Sequence, residues 1–403
     1  MHPHVPKPAA SLVPGARVGR YMLIEPIAAG GFGSVWRATD ESAEQVVALK
    51  IPHADLDRHM PPGSPSASDR FLKEARLLQG CDHPGVVRVY DVIDERPEGP
   101  IAYAMELISG QDLSDLVDTI ALPVILEILA RACEALAYVH ERGVIHRDIK
   151  LSNIFVCDPP EHDDQDRVVK LIDFGIAKDI EDFSMAARTA TGVFVGTLFT
   201  TAPECYHRLS GEPVTLTGAV DQWGIGIALY NAFTGQFPFQ AGAPQHVVGQ
   251  IMTQEVPAIV PLERFELDVC PPRLETVIRR CLEKDPARRY SSPAVVAAAL
   301  RVVSSELIDA SSGMRLVHLI QALPTSVGQR PAAWDSSSDI SAPTVQGHIE
   351  LEATQPPDPQ AATPTDTSPT PATPPTGHVP VPVVLAIVAV GAIVAFLLGR
   401  LVS

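Results

Sequence analysis

His146-Arg147-Asp148-Ile149-Lys150-Leu151-Ser152-Asn153 reads H-R-D-x-K-x-x-N, and twenty residues past Asn153 stands Asp173-Phe174-Gly175. These two blocks carry the groups that phosphoryl transfer needs on its catalytic side. The Asp148 carboxylate can accept a hydroxyl proton. The Lys150 ammonium can neutralise phosphate charge. The Asn153 amide and the Asp173 carboxylate offer oxygen atoms to magnesium. Two such blocks at a workable spacing are an improbable coincidence.

Upstream lies the complementary half, Ile27-Ala28-Ala29-Gly30-Gly31-Phe32-Gly33-Ser34-Val35, flanked by strand-like Tyr21–Ile24 and Val35–Ala38. A glycine-rich hairpin lets backbone N–H groups approach phosphates without Cβ collisions. Then comes Val46-Val47-Ala48-Leu49-Lys50, an apolar strand ending in one lysine. A lysine on a buried strand needs an anionic partner, and the α- and β-phosphates of ATP would serve as one. The stretch Arg70–Leu78 has the period of an amphipathic helix, with Phe71, Ala75 and Leu78 on one face. Glu74 on that helix is placed to pair with Lys50.

Charged residues make up 20% of the 403 positions and apolar residues 46%, a globular balance, and the net charge is −17. That acidity argues against a nucleic-acid surface, which needs a basic patch. It also argues against electrostatic docking on an anionic leaflet. The six cysteines show no C-x-x-C pair and no zinc-ligand spacing. They read as small buried hydrophobes in a reducing compartment. No apolar run follows Met1, so no secretory signal is expected.

The chain divides into an N-terminal tail (1–16), a globular unit (17–309), a linker (310–378), an apolar segment (379–399) and a tail (400–403). Within the linker, residues 355–375 are nearly all Pro, Thr, Ala, Ser and Asp, which predicts an extended, disordered connection. Residues 383–399 (VVLAIVAVGAIVAFLLG) hold no charge. With 379–382 they are long enough to cross a hydrocarbon core of ~30 Å.

These motifs resemble those of the eukaryotic-type (Hanks-type) serine/threonine protein kinases, over Tyr21 to Ser304. The resemblance extends to Gly196-Thr197-Leu198-Phe199-Thr200-Thr201-Ala202-Pro203-Glu204, similar to G-T-x-x-x-x-A-P-E. Asp221-Gln222-Trp223-Gly224-Ile225-Gly226 is similar to D-x-W-x-x-G, and Lys284-Asp285-Pro286-Ala287-Arg288-Arg289 to K-D-P-x-x-R. It implies an α+β, bilobal fold: a small β-rich lobe with one helix, a larger helical lobe, and ATP between them. It also assigns roles. Asp148 would be the catalytic aspartate, Lys150 would steady the γ-phosphate, and Asn153 and Asp173 would hold Mg²⁺, with Mn²⁺ as the alternative ion. Lys50, fixed by Glu74, would contact ATP phosphates under the loop of Ile27, Ala28, Gly30, Gly31, Phe32 and Gly33. Val35 and Ala48 would cover adenine, with Met105 as gatekeeper and the backbone of Glu106 and Leu107 hydrogen-bonding the base. Glu204 would pair with Arg289, and Asp221 would be structural.

Lys150 favours Ser/Thr over Tyr as acceptor, so proteins bearing Ser or Thr are the implied substrates. Arg147 would bind a phosphorylated activation segment, with Thr189 and Thr191 as the T-x-T autophosphorylation site and Thr197 shaping the substrate pocket. The whole chain most resembles bacterial membrane-anchored members. It implies a single-pass protein of the cytoplasmic membrane, its kinase domain in the cytoplasm. A homodimer through the kinase domain, or through the small residues Ala389–Ala392 of the span, is the further partner it suggests. Ala28 departs from the usual first glycine and is the one support for the alternative, an ATP-binding scaffold without transfer activity.

Overall fold

Alternation along two strands divides the core of the small lobe. A computed structural model describes residues 12–30, 33–54, 57, 66–159, 167–175, 199–210, 212–240 and 244–309. Its first sheet has six antiparallel strands, β1 (Arg17–Val18), β2 (Tyr21–Gly30), β3 (Gly33–Asp40), β4 (Gln45–Pro52), β5 (Val89–Asp94) and β6 (Ile101–Glu106), in the order β1-β2-β3-β4-β6-β5. Side chains alternate across a strand. Val47, Leu49 and Ile51 of β4, with Ala102 and Ala104 of β6, join an outer cluster around Tyr21, Leu23 and Trp36. Ala48, Tyr103 and Met105 face the other way, into the main core. Lys50 shares the inward face of Ala48, and register sets it opposite Val35 and Tyr103.

Helix α1 (Ala67–Gln79) closes that inner face. Ser66 caps its start by accepting from Asp69 N, and Phe71, Leu72, Ala75 and Leu78 are buried. The Phe71 ring lies 5.4 Å from that of Tyr103.

A second sheet of three strands, β7 (Gly110–Asp112), β8 (Ile154–Cys157) and β9 (Val169–Leu171), begins the large lobe. Among the described residues its α-helices are α2 (Leu113–Leu116), α3 (Leu122–His140), α4 (Pro203–Leu209), α5 (Ala219–Thr234), α6 (Pro244–Thr253), α7 (Pro272–Cys281) and α8 (Pro293–Asp309). Helix α5 is apolar nearly all round, the pattern of a helix buried within a core. Gly224 lets it approach the loop before β8, because a Cβ there would stand 2.7 Å from Ile149 Cβ. Arg301 fastens α8 to α3: its Nε donates to Glu127 at 3.1 Å and its Nη2 to Glu134 at 2.9 Å.

All six cysteines are free and buried. Among the described residues no helix is long and apolar enough to cross a membrane. The 310–378 linker and the 379–399 segment lie outside the described residues.

Candidate active site

Asp221, in the first turn of α5, organises the catalytic loop. Its Oδ2 accepts from His146 N at 2.8 Å and its Oδ1 from Arg147 N at 2.6 Å. His140 Nε2, at the end of α3, approaches Oδ2 at 2.7 Å. Burial alone would raise the Asp221 pKa, but the hydrogen bond and charge of His140, with His146 behind it, bring it below the ordinary value. These two bonds hold a strained turn, since Arg147 has φ 64°; Asp173, in the D-F-G segment, also has a positive φ of 52°. Left-handed backbone at non-glycine residues persists only where surroundings impose it, and it clusters at functional sites.

His146 is fully buried beneath this turn. Its Nε2 lies 2.9 Å from Ile172 O, and its Nδ1 lies 3.3 Å from Asp148 N. A carbonyl only accepts and an amide only donates, so the ring is neutral with its proton on Nε2. Burial also pushes its pKa below 6.5. The Phe174 ring packs on it at 4.4 Å, and Gly175 N donates to His146 O at 2.7 Å. The D-F-G segment is thereby docked on the loop that carries Asp148.

Around this frame the expected groups assemble. Lys150 Nζ stands 3.6 Å from Asp148 Oδ2. Asn153, buried in a 3-10 turn, donates from Nδ2 to Asp148 O at 2.7 Å, which turns its amide oxygen into the atom able to ligate a cation. Val35, Ala48 and Met105 are buried in the main core beside Ala28, with Ile27 and Leu107 packed against it. Gly30 ends β2 and pairs with Gly33. A Cβ on Gly33 would collide with the carbonyl oxygen of Ile51, so only glycine lets the hairpin close over β4. Glu204 and Arg289 form a buried two-pronged pair, at 2.6 and 2.8 Å. Gly31, Phe32, Thr189, Thr191 and Thr197 lie outside the described residues.

One expectation requires correction. Lys50 does not pair with Glu74. Its Nζ donates to Asp173 Oδ1 at 2.9 Å, while Arg147 Nη1 donates to Glu74 Oε1 at 3.2 Å. The physical reason is competition: two cations and two carboxylates converge, and the placement of α1 brings Glu74 to the guanidinium. Burial works against the Lys50 charge, but Asp173 and then Tyr103 outweigh it and hold the pKa above its ordinary value.

Sequence reasoning missed Tyr103, His140 and Lys170. Cross-strand register places Tyr103 against Lys50, and nothing local to either strand announces it.

The donor set suits magnesium. Asp173 and Asn153 offer hard oxygens, and Mg²⁺ takes one or two protein ligands plus phosphates and water.

Residues 21–300 match the family model of the protein kinase domain. The chain is 33% identical over 341 residues to the serine/threonine-protein kinase PknB of Mycolicibacterium smegmatis, covering 83% of this chain and 51% of that protein. It is 30% identical over 299 residues to the serine/threonine-protein kinase pkn2 of Myxococcus xanthus, covering 73% of this chain and 34% of that one. The chain thus spans about half, or less, of these relatives' length. The crystal structure of the Mycobacterium tuberculosis PknI kinase domain aligns with a TM-score of 0.53 at 21% identity, over 74% of this chain and 100% of that one, a likeness of fold alone. With the family model matched across most of its length, and with relatives of this kind, the chain belongs to the protein kinase family, as a Hanks-type member of the bacterial serine/threonine group.

Proposed function

We propose that this chain is an ATP-dependent serine/threonine protein kinase, tethered to the cytoplasmic membrane through 379–399 and switched on by autophosphorylation of its activation segment. The observation that carries the reading is the pairing of Asp148 with Lys150 and Asn153 on one loop, and of Asp173, just past β9, with Lys50 of β4.

In this reading a Ser or Thr hydroxyl of a protein substrate gives its proton to Asp148. The hydroxyl oxygen bonds to the γ-phosphorus while the bridge to the β-phosphate breaks, and ADP leaves. Lys150, beside Asp148, offsets charge on the transferring group. Lys50 orients the other phosphates, and Gly33 admits the hairpin backbone above them. Asn153 and Asp173 would hold Mg²⁺, which, when bound, neutralises phosphate charge.

The pairings of Lys50 with Asp173 and of Glu74 with Arg147 support a resting arrangement rather than a dead enzyme, because each catalytic group is present. A phosphate on Thr189 or Thr191 competes for Arg147 and returns Glu74 to Lys50. Small residues in the span favour dimers, which would promote phosphorylation in trans.

The test is the full-length chain with Mg-ATP and a basic protein substrate, beside Asp148→Asn. Phosphate on protein Ser or Thr from the wild type alone supports the proposal. Transfer by neither, with nucleotide bound by both, makes the chain a scaffold.

A further inference from the structure

Glu106 ends β6, and the kinase resemblance gives its backbone to adenine. Its side chain has a separate assignment. Glu106 Oε1 accepts from Lys170 Nζ at 2.8 Å and from Arg88 N at 2.7 Å, while Glu106 N donates to Arg88 O at 2.9 Å. Arg88 belongs to the short run that joins the two sheets. Leu171 N donates to Gly85 O at 2.9 Å, and Val87 N donates to Leu171 O at 3.2 Å. Three segments therefore meet at one carboxylate: the end of β6, the run 85–88, and β9.

The ion pair is the side-chain tie that closes this triangle. Its members are 14% and 20% exposed, so water screens them less than a surface pair. A charge-assisted bond of this kind fixes position as well as adding energy. Lys170 also sits three residues before Asp173. Between them, Ile172 N donates to Asn153 O at 3.1 Å, and Ile172 O accepts from His146. The strand that carries Lys170 thus continues directly into the metal-binding loop.

We propose that Lys170 is a positioning residue for nucleotide binding: through the Glu106 carboxylate it fixes the adenine-facing backbone of Glu106 and Leu107 relative to β9, and so sets ATP affinity. Lys170 touches no reacting atom. Its loss leaves the chemistry of bound ATP intact and loosens the wall against which the base docks. The inference rests on the ATP-binding part of the kinase reading.

The experiment compares the full-length wild type with Lys170→Met and Lys170→Arg. It measures KM for ATP, kcat on a basic protein substrate, Kd for a non-hydrolysable ATP analogue, and Tm. Lys170→Met should raise both KM and analogue Kd about tenfold, equivalent to ~1.4 kcal/mol, with kcat changed less than about twofold on that same scale. Lys170→Arg, which keeps the charge, should recover most of the affinity. Analogue Kd unchanged in Lys170→Met overturns the proposal, whether or not Tm falls, because Lys170 is then structural only. If Lys170→Met does not fold, the proposal is judged on Lys170→Gln by the same criteria. A wild type that binds no ATP analogue defeats the kinase reading and this inference with it. A wild type that binds the analogue but transfers no phosphate defeats only the kinase reading, and the analogue Kd still decides Lys170.

Discussion

Arg147 Nη1 donates to Glu74 Oε1 at 3.2 Å, so the guanidinium next to Asp148 holds the helix carboxylate that the family resemblance assigns to Lys50. The pairing makes Arg147 a shared resource between α1 and any phosphate arriving on the activation segment.

Arg147→Gln should therefore change regulation more than chemistry. Dephosphorylated wild type should gain about fivefold or more on autophosphorylation, the scale of an ordinary coupling energy. The variant should start higher and gain little. Rates before and after phosphatase treatment decide it, and Thr189→Ala with Thr191→Ala should show the low starting rate and no gain. A full gain in Arg147→Gln would sink the competition.

Asp221 acts through the backbone it holds. Asp221→Asn keeps the shape and lets one amide oxygen serve, but it loses the second acceptor and the charge. We expect kcat to fall by about 10²-fold, the cost of misplacing a catalytic group by about 1 Å. The Kd of an ATP analogue should stay within a factor of about two, because β4 and the hairpin that face ATP are untouched.

The Glu204–Arg289 pair is a stability prediction. The two side chains are 6% and 0% exposed. Removing one partner strands a buried charge, so Arg289→Ala should cost ~3–5 kcal/mol. Arg289→Lys should recover only part of it, since an ammonium cannot reproduce the two-pronged geometry. Urea midpoints at constant slope measure both, and a loss under ~1 kcal/mol would show the pair to be dispensable.

His146 predicts acid lability. Burial holds its pKa below 6.5, although Asp221 and Asp148 pull the other way. In the unfolded chain the ring takes a proton near 6.5. Between that pH and the lower folded value the unfolded state binds more protons, so stability falls as pH drops through this window. Above it the contribution is fully present. His83, also depressed mainly by burial, adds in the same direction. Tm should decline from pH 7 toward pH 5, and less steeply in His146→Gln. An equal slope in that variant would place the lability elsewhere.

Much of this site was legible because it is local. The catalytic block, D-F-G and the apolar strand ending at Lys50 each carry their chemistry within a few residues. The alternation of Val47, Leu49 and Ile51 against Ala48 and Lys50 fixes which way the lysine faces. The amphipathic period likewise finds α1, burying Phe71, Ala75 and Leu78 as expected. Partner choice was not legible. Whether Glu74 meets Lys50 or Arg147 depends on the placement of a whole helix, and no sequence period encodes that. Tyr103 and Lys170 escaped for a related reason: their meaning comes from register across strands distant in the chain.

The grip of Arg301 on Glu127 and Glu134 has a mechanical consequence. Helix α8 ends at Asp309, the last described residue, and α3 ends at His140, one hydrogen bond from Asp221. Tension applied at Asp309 would load the last turn of α8 first and reach α3 through Ser304, which donates to Pro123 O, and then through Arg301.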